Sequence, residues 1–342
     1  MIEILHDLWG GFLTNFTLYN LMVIFLGSMV GTVVGALPGL GPSAGLALMI
    51  PLTFTMESSA GLALLVGVYM GCMFGGRITA ILINTPGDAP AIVTCLDGYP
   101  LMQQGRGGFA LGISAISSFV GGLFGIIVLI FLAPTIASLV INFGAPEYFM
   151  LLLLGLCTIA LLAGDSVVKA LLMTVLGFVI GLVGCDFVSG YTRFCYTPEL
   201  LEGIDFVVVI MGMYGIGEVL HNVEHQVHLN LGKPNFKTSE YIPTAKELKQ
   251  VGMPMLRGSL IGTIIGILPA AGGTIATFLA YATEKKCAKQ PERFGHGAPE
   301  GLASPEAANN ASVGGALIPL ITMGIPGSGG TAIMLGVFIM FG

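Results

Sequence analysis

The chain has 342 residues, of which 54% are hydrophobic and 9% are charged, and its mean hydropathy is +0.90. A soluble domain carries about a quarter of charged residues, so this composition excludes an ordinary soluble protein and indicates a membrane protein. The net charge of −6 does not predict orientation, because orientation follows the placement of lysine and arginine. The sequence contains no nucleotide-binding loop and no evident nucleophile–base pair, which argues against ATP hydrolysis and against an enzyme.

The sequence predicts four segments: a first repeat (1–108), connecting transmembrane helices (109–222), a cytoplasmic loop (223–256) and a second repeat (257–342). In the first repeat, an apolar run from Leu18 to Leu37 is broken over positions 38–42, because proline donates no backbone hydrogen bond and glycine relaxes the backbone. We expect Ser43 to cap the next helix. The return segment, Ala44 to Phe54, is too short to cross a membrane alone. The pattern predicts a hairpin that enters and leaves the membrane on one side.

A second break follows in the first repeat. The chain is apolar from Ala60 to Leu82, apart from Arg77, and it breaks again over positions 84–90. A charge in an apolar run is costly unless it is paired or functional, and an arginine fork matches a carboxylate in two-point geometry. Substrate binding, an ion pair with Asp88 and snorkelling to the interface are the alternatives for Arg77. Asp88 could cap a helix, bind a cation or pair with Arg77, and capping is favoured.

Four ordinary spans are predicted near 109–132, 147–163, 167–184 and 203–222. Cys185 and Cys195 either pair in an extracytoplasmic loop or stay free thiols, because spacing alone does not establish disulfide geometry. The polar segment 223–256 is predicted to be a cytoplasmic loop with an amphipathic helix around Thr244 to Gln250.

The second repeat contains two breaks in the same order as the first. An offset of 231 aligns Gly31 with Gly262 and makes six of fifteen positions identical between 31–45 and 262–276. An offset of 240 aligns Pro86 with Pro326. A single break of this kind is more often a kink, but paired breaks in two halves point to the substrate site of a secondary transporter.

The basic residues indicate the orientation. Segments 223–257 and 284–296 hold nine of the thirteen lysines and arginines, so both are predicted to be cytoplasmic by the positive-inside rule. The flanks of the first hairpin hold none, so this hairpin is predicted to open outward. The two repeats are therefore expected to be inverted relative to each other in the membrane.

The breaks are the predicted binding site. Half-helix N-termini favour negative charge and unwound carbonyl groups favour cations, while nearby hydroxyl and amide groups could bind a carboxylate or complete a Na⁺ shell at the hairpin tips. Asp97 and Glu306 are expected to start or end helical segments, where capping competes with proton or cation coupling. No cofactor and no cluster of metal-binding side chains is predicted. The candidate substrate- or ion-binding residues are Pro38, Gly39, Gly41, Ser43, Arg77, Thr79, Asn84, Thr85, Pro86, Gly87, Asp88, Gly272, Gly273, Thr274, Asn309, Asn310, Gly324, Pro326, Gly327 and Ser328.

Five motifs are specific enough to suggest a family. They are GALPGLGP at 35–42, GGRITAILINTPG at 75–87, TCLDGYP at 94–100, PEAANNA at 305–311 and GIPG at 324–327. Together they resemble the large membrane subunit of the tripartite tricarboxylate transporters. The resemblance implies a bacterial inner-membrane importer, driven by a Na⁺ or H⁺ gradient, that takes carboxylates such as citrate from a periplasmic binding protein. It also implies a small membrane subunit as a partner.

The chain departs from the family in two places. Ala270 and Ala271 follow Pro269, where the family more often has glycine. The chain ends at Gly342 inside an apolar run, whereas family members continue through further spans, which predicts a C-terminally truncated form.

The sequence therefore predicts an all-α polytopic membrane protein in the lipid bilayer, built as an inverted repeat of broken, re-entrant helical hairpins with connecting transmembrane helices. The predicted function is that of a carboxylate symport subunit working by alternating access. The alternatives are a secondary transporter for another small organic anion and a non-transporting membrane scaffold or channel. No nucleic-acid partner is predicted.

Overall fold

The computed structural model describes residues 2–140 except 39, 166–204 except 186–190, and 238–341 except 269–271, with isolated positions in 142–153 and 209–224. Two positions of the predicted hairpin tips, Gly39 and Pro269, lie outside the described residues. Most of the spans predicted near 147–163 and 203–222 also lie outside them.

The protein folds into α-helices, of which eleven lie within the described residues. They are α1 (Ile2–Asn15), α2 (Leu18–Ala36), α3 (Pro42–Thr53), α4 (Ser58–Ile83), α5 (Ile92–Gln103), α6 (Gly107–Val140), α7 (Val167–Gly181), α8 (Ala245–Ile267), α9 (Gly272–Cys287), α10 (Pro299–Met323) and α11 (Gly329–Phe341). Short 3₁₀ helices occupy Ala89–Ala91, Pro198–Glu202, Thr238–Tyr241 and Pro291–Arg293. Strands β1 (Gly184–Cys185) and β2 (Thr192–Arg193) pair antiparallel, with Gly184 opposite Arg193. Cys185 and Cys195 do not form a disulfide with each other, and the Cys195 Sγ atom lies 3.3 Å from the Leu200 carbonyl oxygen.

Three of these helices, α2, α4 and α6, are long and apolar enough to cross a membrane, and α3, α7 and α11 are shorter apolar helices. The predicted all-α multi-pass membrane fold is confirmed. Helix α6 has 34 residues and runs past the predicted end of its span at position 132. Most residues of helix α10 are buried, but several of them are polar, so α10 is not among these apolar helices.

Two predictions about helix ends are wrong or incomplete. Asp97 and Glu306, expected at helix ends, lie inside α5 and α10, because their carboxylates bond to groups on other parts of the chain rather than to their own helix ends. The short amphipathic helix expected around Thr244 to Gln250 is the first part of the longer α8. Thr244 and Glu247 begin α8 with reciprocal side-chain to backbone hydrogen bonds, a capping box that satisfies two free N–H groups.

Helices α2 and α4 run parallel and touch through glycine. Gly31 lies against the backbone of Val68, and one turn later Gly35 lies against the backbone of Cys72. A Cβ atom at either glycine would overlap the carbonyl group of its neighbour. The absence of side chains therefore lets the two backbones approach closely, as is common between membrane helices.

Helices α8 and α10 repeat this arrangement in the second half. Gly262 lies against Ala308, and one turn later Gly266 lies against Ser312. Sequence alignment had paired Gly262 with Gly31. The aligned residues thus occupy corresponding packing positions in the two halves.

The helices that correspond to each other, α4 and α10, run in opposite directions where they meet. The Asn309 side-chain amide donates to the Met73 carbonyl group at 3.4 Å. Ile81 comes after Met73 in α4, whereas Leu302 comes before Asn309 in α10, and both Ile81 and Leu302 lie next to Gly98 of α5. Residue numbers therefore rise along one helix as they fall along the other. That the two repeats have opposite orientations in the membrane stays a prediction.

Candidate functional site

The first hairpin turns through a short non-helical tip. Helix α2 ends at Ala36, Leu37 is extended, and α3 begins at Pro42 with Gly41 in the N-cap position. The prediction that Ser43 caps this helix is wrong, since Ser43 is already the second residue of α3. Proline at the first helical position is favourable because its missing N–H would have had no partner there.

The second break in each half ends a helix in the same way. Asn84 has left-handed backbone angles of φ 55° and ψ 31°, and its N–H donates back to Thr79. Gly324, at the aligned position, has φ 68° and ψ 20°, and its N–H donates back to Leu320. A left-handed residue is a common way to terminate an α-helix. The break after Pro86 is further fixed by Gly87, because a Cβ atom there would overlap the backbones of Gly35 and Gly76.

The breaks of the two halves meet at one cavity of about 450 Å³. The lining residues come from the two hairpins, from the second break in each half and from helix α4. They are Pro42, Ser43, Tyr69, Met73, Asp88, Pro90, Gly272, Gly273, Thr274, Ile275, Ser328, Gly329 and Gly330. This volume lies within the range of about 300–1,000 Å³ that is typical of small-molecule sites.

Three helices begin at this cavity. Pro42 opens α3, Gly272 opens α9 and Gly329 opens α11. Each N-terminus presents free backbone N–H groups and the positive end of a helix dipole. Hydroxyl groups of Ser43 and Thr274 stand beside two of them. This arrangement favours an anion with several oxygen atoms.

The predicted site residues fall into three groups. Six line the cavity: Ser43, Asp88, Gly272, Gly273, Thr274 and Ser328. Ten others shape the turns or adjoining helix ends without lining it: Pro38, Gly41, Thr79, Asn84, Thr85, Pro86, Gly87, Gly324, Pro326 and Gly327. Arg77, Asn309 and Asn310 are buried in the helices behind it, and Gly39 lies outside the described residues.

The sequence analysis missed two lining residues on α4, Tyr69 and Met73. The Tyr69 hydroxyl lies 2.9 Å from Ser328 Oγ. Tyr69 and Met73 are four residues apart, which places both on one face of α4. Arg77 continues that face one turn further. This periodicity is the signal that could have connected Tyr69 to the site.

Arg77 is buried and paired. Its side chain is 1% exposed, and Nη1 lies 2.5 Å from Asp88 Oδ1. Its Nε lies 3.6 Å from Glu306 Oε2, and the Glu306 side chain is also 1% exposed. Asp88 Oδ1 additionally accepts the Ala91 N–H at 3.0 Å, which caps the following 3₁₀ helix. Asp88 therefore takes two of its three predicted roles at once.

Glu306 is surrounded by hydroxyl groups. Thr94 Oγ1 of α5 lies 2.5 Å from Glu306 Oε1, and Ser118 Oγ of α6 lies 3.4 Å from Oε2. The side-chain amide of Asn310 donates to the Glu306 carbonyl group at 3.1 Å. Four helices thus supply groups to one carboxylate site, which we call the Arg77 cluster: Arg77, Asp88, Thr94, Ser118 and Glu306.

Two buried oxygen atoms near the cavity have no hydrogen-bond partner among the described residues. They are Asp88 Oδ2 and Asn309 Oδ1. Asp88 lines the cavity, and a Cβ atom at Gly273 would lie 2.6 Å from Asn309 Oδ1. Buried acceptors without a partner are costly, so each of these two atoms would be stabilised by a hydrogen-bond donor such as a bound proton or water molecule.

Comparison with known proteins places the chain. Residues 21–342 match the family described as the tripartite tricarboxylate transporter TctA family. The chain belongs to the TctA family. No solved structure matches it. The chain is accordingly a multi-pass membrane subunit of a tripartite transport system, a system that also comprises a binding protein and a small membrane subunit.

Two relatives of this TctA family member come from Agrobacterium vitis. An uncharacterized 52.8 kDa protein in the TAR-I ttuC' 3' region is 41% identical over 343 residues, which cover 100% of this chain and 68% of that protein. An uncharacterized protein in the TAR-II ttuC' 3' region is 47% identical over 81 residues, which cover 24% of this chain and 34% of that protein.

In this TctA family member, Asp97 connects α5 to the loop between α9 and α10. Its Oδ1 atom accepts the backbone N–H groups of Gly295, Gly297 and Ala298 at 2.9, 2.8 and 2.7 Å. Backbone N–H groups directed at a carboxylate make strong, charge-assisted hydrogen bonds. Asp97 therefore holds this loop in place, and neither Asp97 nor the loop lines the cavity.

Proposed function

We propose that this chain carries small carboxylates such as citrate across the bacterial inner membrane, as the permease of a tripartite system. The observation that carries the proposal is the cavity at which three helix N-termini meet. Carboxylate oxygens accept hydrogen bonds from free N–H and hydroxyl groups, and the dipoles of three helices favour the negative charge of the ligand.

Alternating access fits the division of the cavity between the two halves. The first half contributes its hairpin and its second break to the cavity lining, and the second half contributes its own hairpin and second break. If one hairpin moves against the other, the same lining groups can face either side of the membrane in turn. A gradient of Na⁺ or H⁺ would drive net import, with substrate delivered by a periplasmic binding protein.

The direct test is uptake into vesicles that contain the full-length chain and its small membrane subunit. Labelled citrate, and then other carboxylates, would be supplied with the binding protein, with and without Na⁺ and with and without a pH gradient. We expect uptake that requires the binding protein. If no carboxylate enters in a manner that depends on the binding protein, the proposal is wrong.

A pair of variants tests whether the cavity holds the substrate. Thr274→Val removes a cavity hydroxyl while keeping the side-chain shape, and Thr55→Val makes the same change at an exposed turn. Losing one hydrogen bond of about 0.5–1.5 kcal/mol would raise the half-saturating substrate concentration roughly two- to tenfold for Thr274→Val. Equal effects of the two variants would remove Thr274 from the substrate site.

A further inference from the structure

The Arg77 cluster carries one more acidic group than basic groups. Arg77 supplies one positive charge, whereas Asp88 and Glu306 supply two carboxylates, and the three side chains are 1%, 8% and 1% exposed. We propose that Asp88 and Glu306 share one exchangeable proton, and that this proton is the ion coupled to anion transport. The second part rests on the function proposed above, whereas the first part does not.

Charge balance is the first argument. An uncompensated charge in a buried site is costly, and more so in a membrane interior. Two carboxylates that compete for one cation relieve this cost when one of them holds a proton. Among the described residues, the other groups facing Glu306 are the hydroxyls of Thr94, Ser114 and Ser118 and the Cys95 thiol, and those facing Asp88 are the Tyr69 hydroxyl and the Cys72 thiol. None of them supplies a second positive charge.

The contacts assign the proton to Glu306 in this form of the protein. Arg77 Nη1 lies 2.5 Å from Asp88 Oδ1, whereas Arg77 Nε lies 3.6 Å from Glu306 Oε2. Asp88 is therefore the closer ion-pair partner of Arg77. Glu306 Oε1 instead makes its shortest contact with a neutral hydroxyl, that of Thr94. A Na⁺ ion at Oε2 would meet the guanidinium group, whereas a proton occupies no further volume.

Asp88 connects the cluster to the cavity. Its Oδ2 atom has no hydrogen-bond partner among the described residues, and Asp88 lines the cavity wall. Once Glu306 has released its proton, a hydronium ion that reaches Asp88 from the cavity can transfer a proton to this carboxylate and leave a water molecule behind. Asp88 would then release Arg77, whose Nε already lies near Glu306. The one proton can therefore reside on either carboxylate while Arg77 pairs with the other.

The location of the cluster explains how a proton and an anion would be coupled. With the proton bound, the cluster is neutral overall, and without it the cluster places one net negative charge behind the cavity wall. A carboxylate in the cavity is repelled by that charge, so the proton and the anion favour each other's binding. Such coupling is reciprocal, which would make the two ligands enter and leave together.

Infrared spectroscopy of the purified protein tests the proton itself, without any transport. We expect the C=O stretch of a protonated carboxyl group at neutral pH and its loss in Glu306→Gln. Asp88→Asn should also remove this band, because Glu306 then becomes the only carboxylate partner of Arg77 and ionises. Glu284→Gln is the matched control, since buried Glu284 has its own arginine, Arg257, at 2.6 and 2.8 Å.

The control should leave the band unchanged. Absence of the band in the unmodified protein, or its persistence in both Glu306→Gln and Asp88→Asn, would overturn the shared proton. Using both variants keeps the test decisive if one of them does not fold.

Transport in vesicles tests the coupling. An inward proton gradient, without Na⁺, should accelerate binding-protein-dependent uptake by the unmodified chain, and a pH-sensitive dye inside should report proton entry. In Glu306→Gln, uptake with and without the gradient should become equal. An absolute Na⁺ requirement, or an unchanged response to the gradient in Glu306→Gln, would overturn proton coupling. If the unmodified chain shows no uptake, the proposed function fails, and the infrared result alone decides the shared proton.

Discussion

The hydroxyl of Tyr69 lies 2.9 Å from Ser328 Oγ, and these residues are separated by 259 positions in the sequence. This hydrogen bond joins helix α4 of the first repeat to the last break of the second, at the edge of the cavity. Ser328 also bonds Thr331 in the first turn of α11. The contact therefore connects the two halves at the start of a helix that points into the site.

Tyr69→Phe should weaken this connection while keeping the packing of the ring. Loss of one hydrogen bond is expected to lower the free energy of unfolding by about 0.5–1.5 kcal/mol, while Ser328 should keep its hydrogen bonds to Thr331. Thermal unfolding in detergent measures the first effect. Tyr19→Phe, on the exposed face of α2, is the control and should change little. An equal loss in both variants would show that the Tyr69 hydroxyl does not hold the halves together.

Gly262→Ala should destabilise the packing of α8 on α10. The added Cβ atom would overlap the Ala308 carbonyl group, and a forced shift of a packed backbone costs about 1–3 kcal/mol. Gly31→Ala should behave in the same way at α2 and α4. The control is Gly177→Ala in α7, where a Cβ atom would meet nothing within 4 Å. If Gly262→Ala and Gly31→Ala unfold at the same temperature as Gly177→Ala, the close approach of the helix backbones at these glycines is contradicted.

Arg77→Met should be strongly destabilising because it leaves the two carboxylates without their cation. Removing one partner of a buried ion pair costs about 3–5 kcal/mol. Adding Asp88→Asn and Glu306→Gln to the same chain should recover much of that loss, since no buried charge then remains uncompensated. Unfolding measurements on the single and triple variants make the comparison. A triple variant no more stable than Arg77→Met would show that Arg77 acts mainly through packing.

Asp97→Leu should release the loop between α9 and α10. Three backbone N–H groups lose their acceptor, and a hydrogen bond to a charged group contributes about 1.5–3 kcal/mol. We expect faster amide hydrogen exchange at Gly295, Gly297 and Ala298. Glu292→Leu, at an exposed position of the same loop, should leave this exchange unchanged. Protection that survives in Asp97→Leu would mean that the Gln104 hydrogen bond to His296 suffices to hold the loop.

Accessibility labelling tests the predicted inversion of the repeats. Glu57 follows the first hairpin and Lys286 follows the second, and both are exposed. A cysteine at each position, in separate chains, should react with an impermeant reagent from opposite faces of the membrane. Reaction of both from the same face would contradict inversion, whatever the outcome for transport.

The sequence by itself determined the features that depend on local chemistry. The break near Pro38 and the break at Pro86 follow from missing N–H groups and glycine flexibility, and both appear as predicted. The apolar runs define the membrane helices, because about twenty apolar residues have one stable arrangement in hydrocarbon. The ion pair between Arg77 and Asp88 was also within reach of sequence reasoning, since eleven positions separate the two residues.

Only the tertiary structure decided what Glu306 and Asp97 do. Local pattern suggested helix ends for both, but their partners come from elsewhere: Thr94 and Ser118 for Glu306, and the backbone around Gly297 for Asp97. These contacts span about two hundred positions of the chain, so no periodicity or motif records them. They exist because glycine-mediated packing draws α4, α5, α6 and α10 together, and a buried charge is then stabilised by whichever polar groups the packing brings within reach.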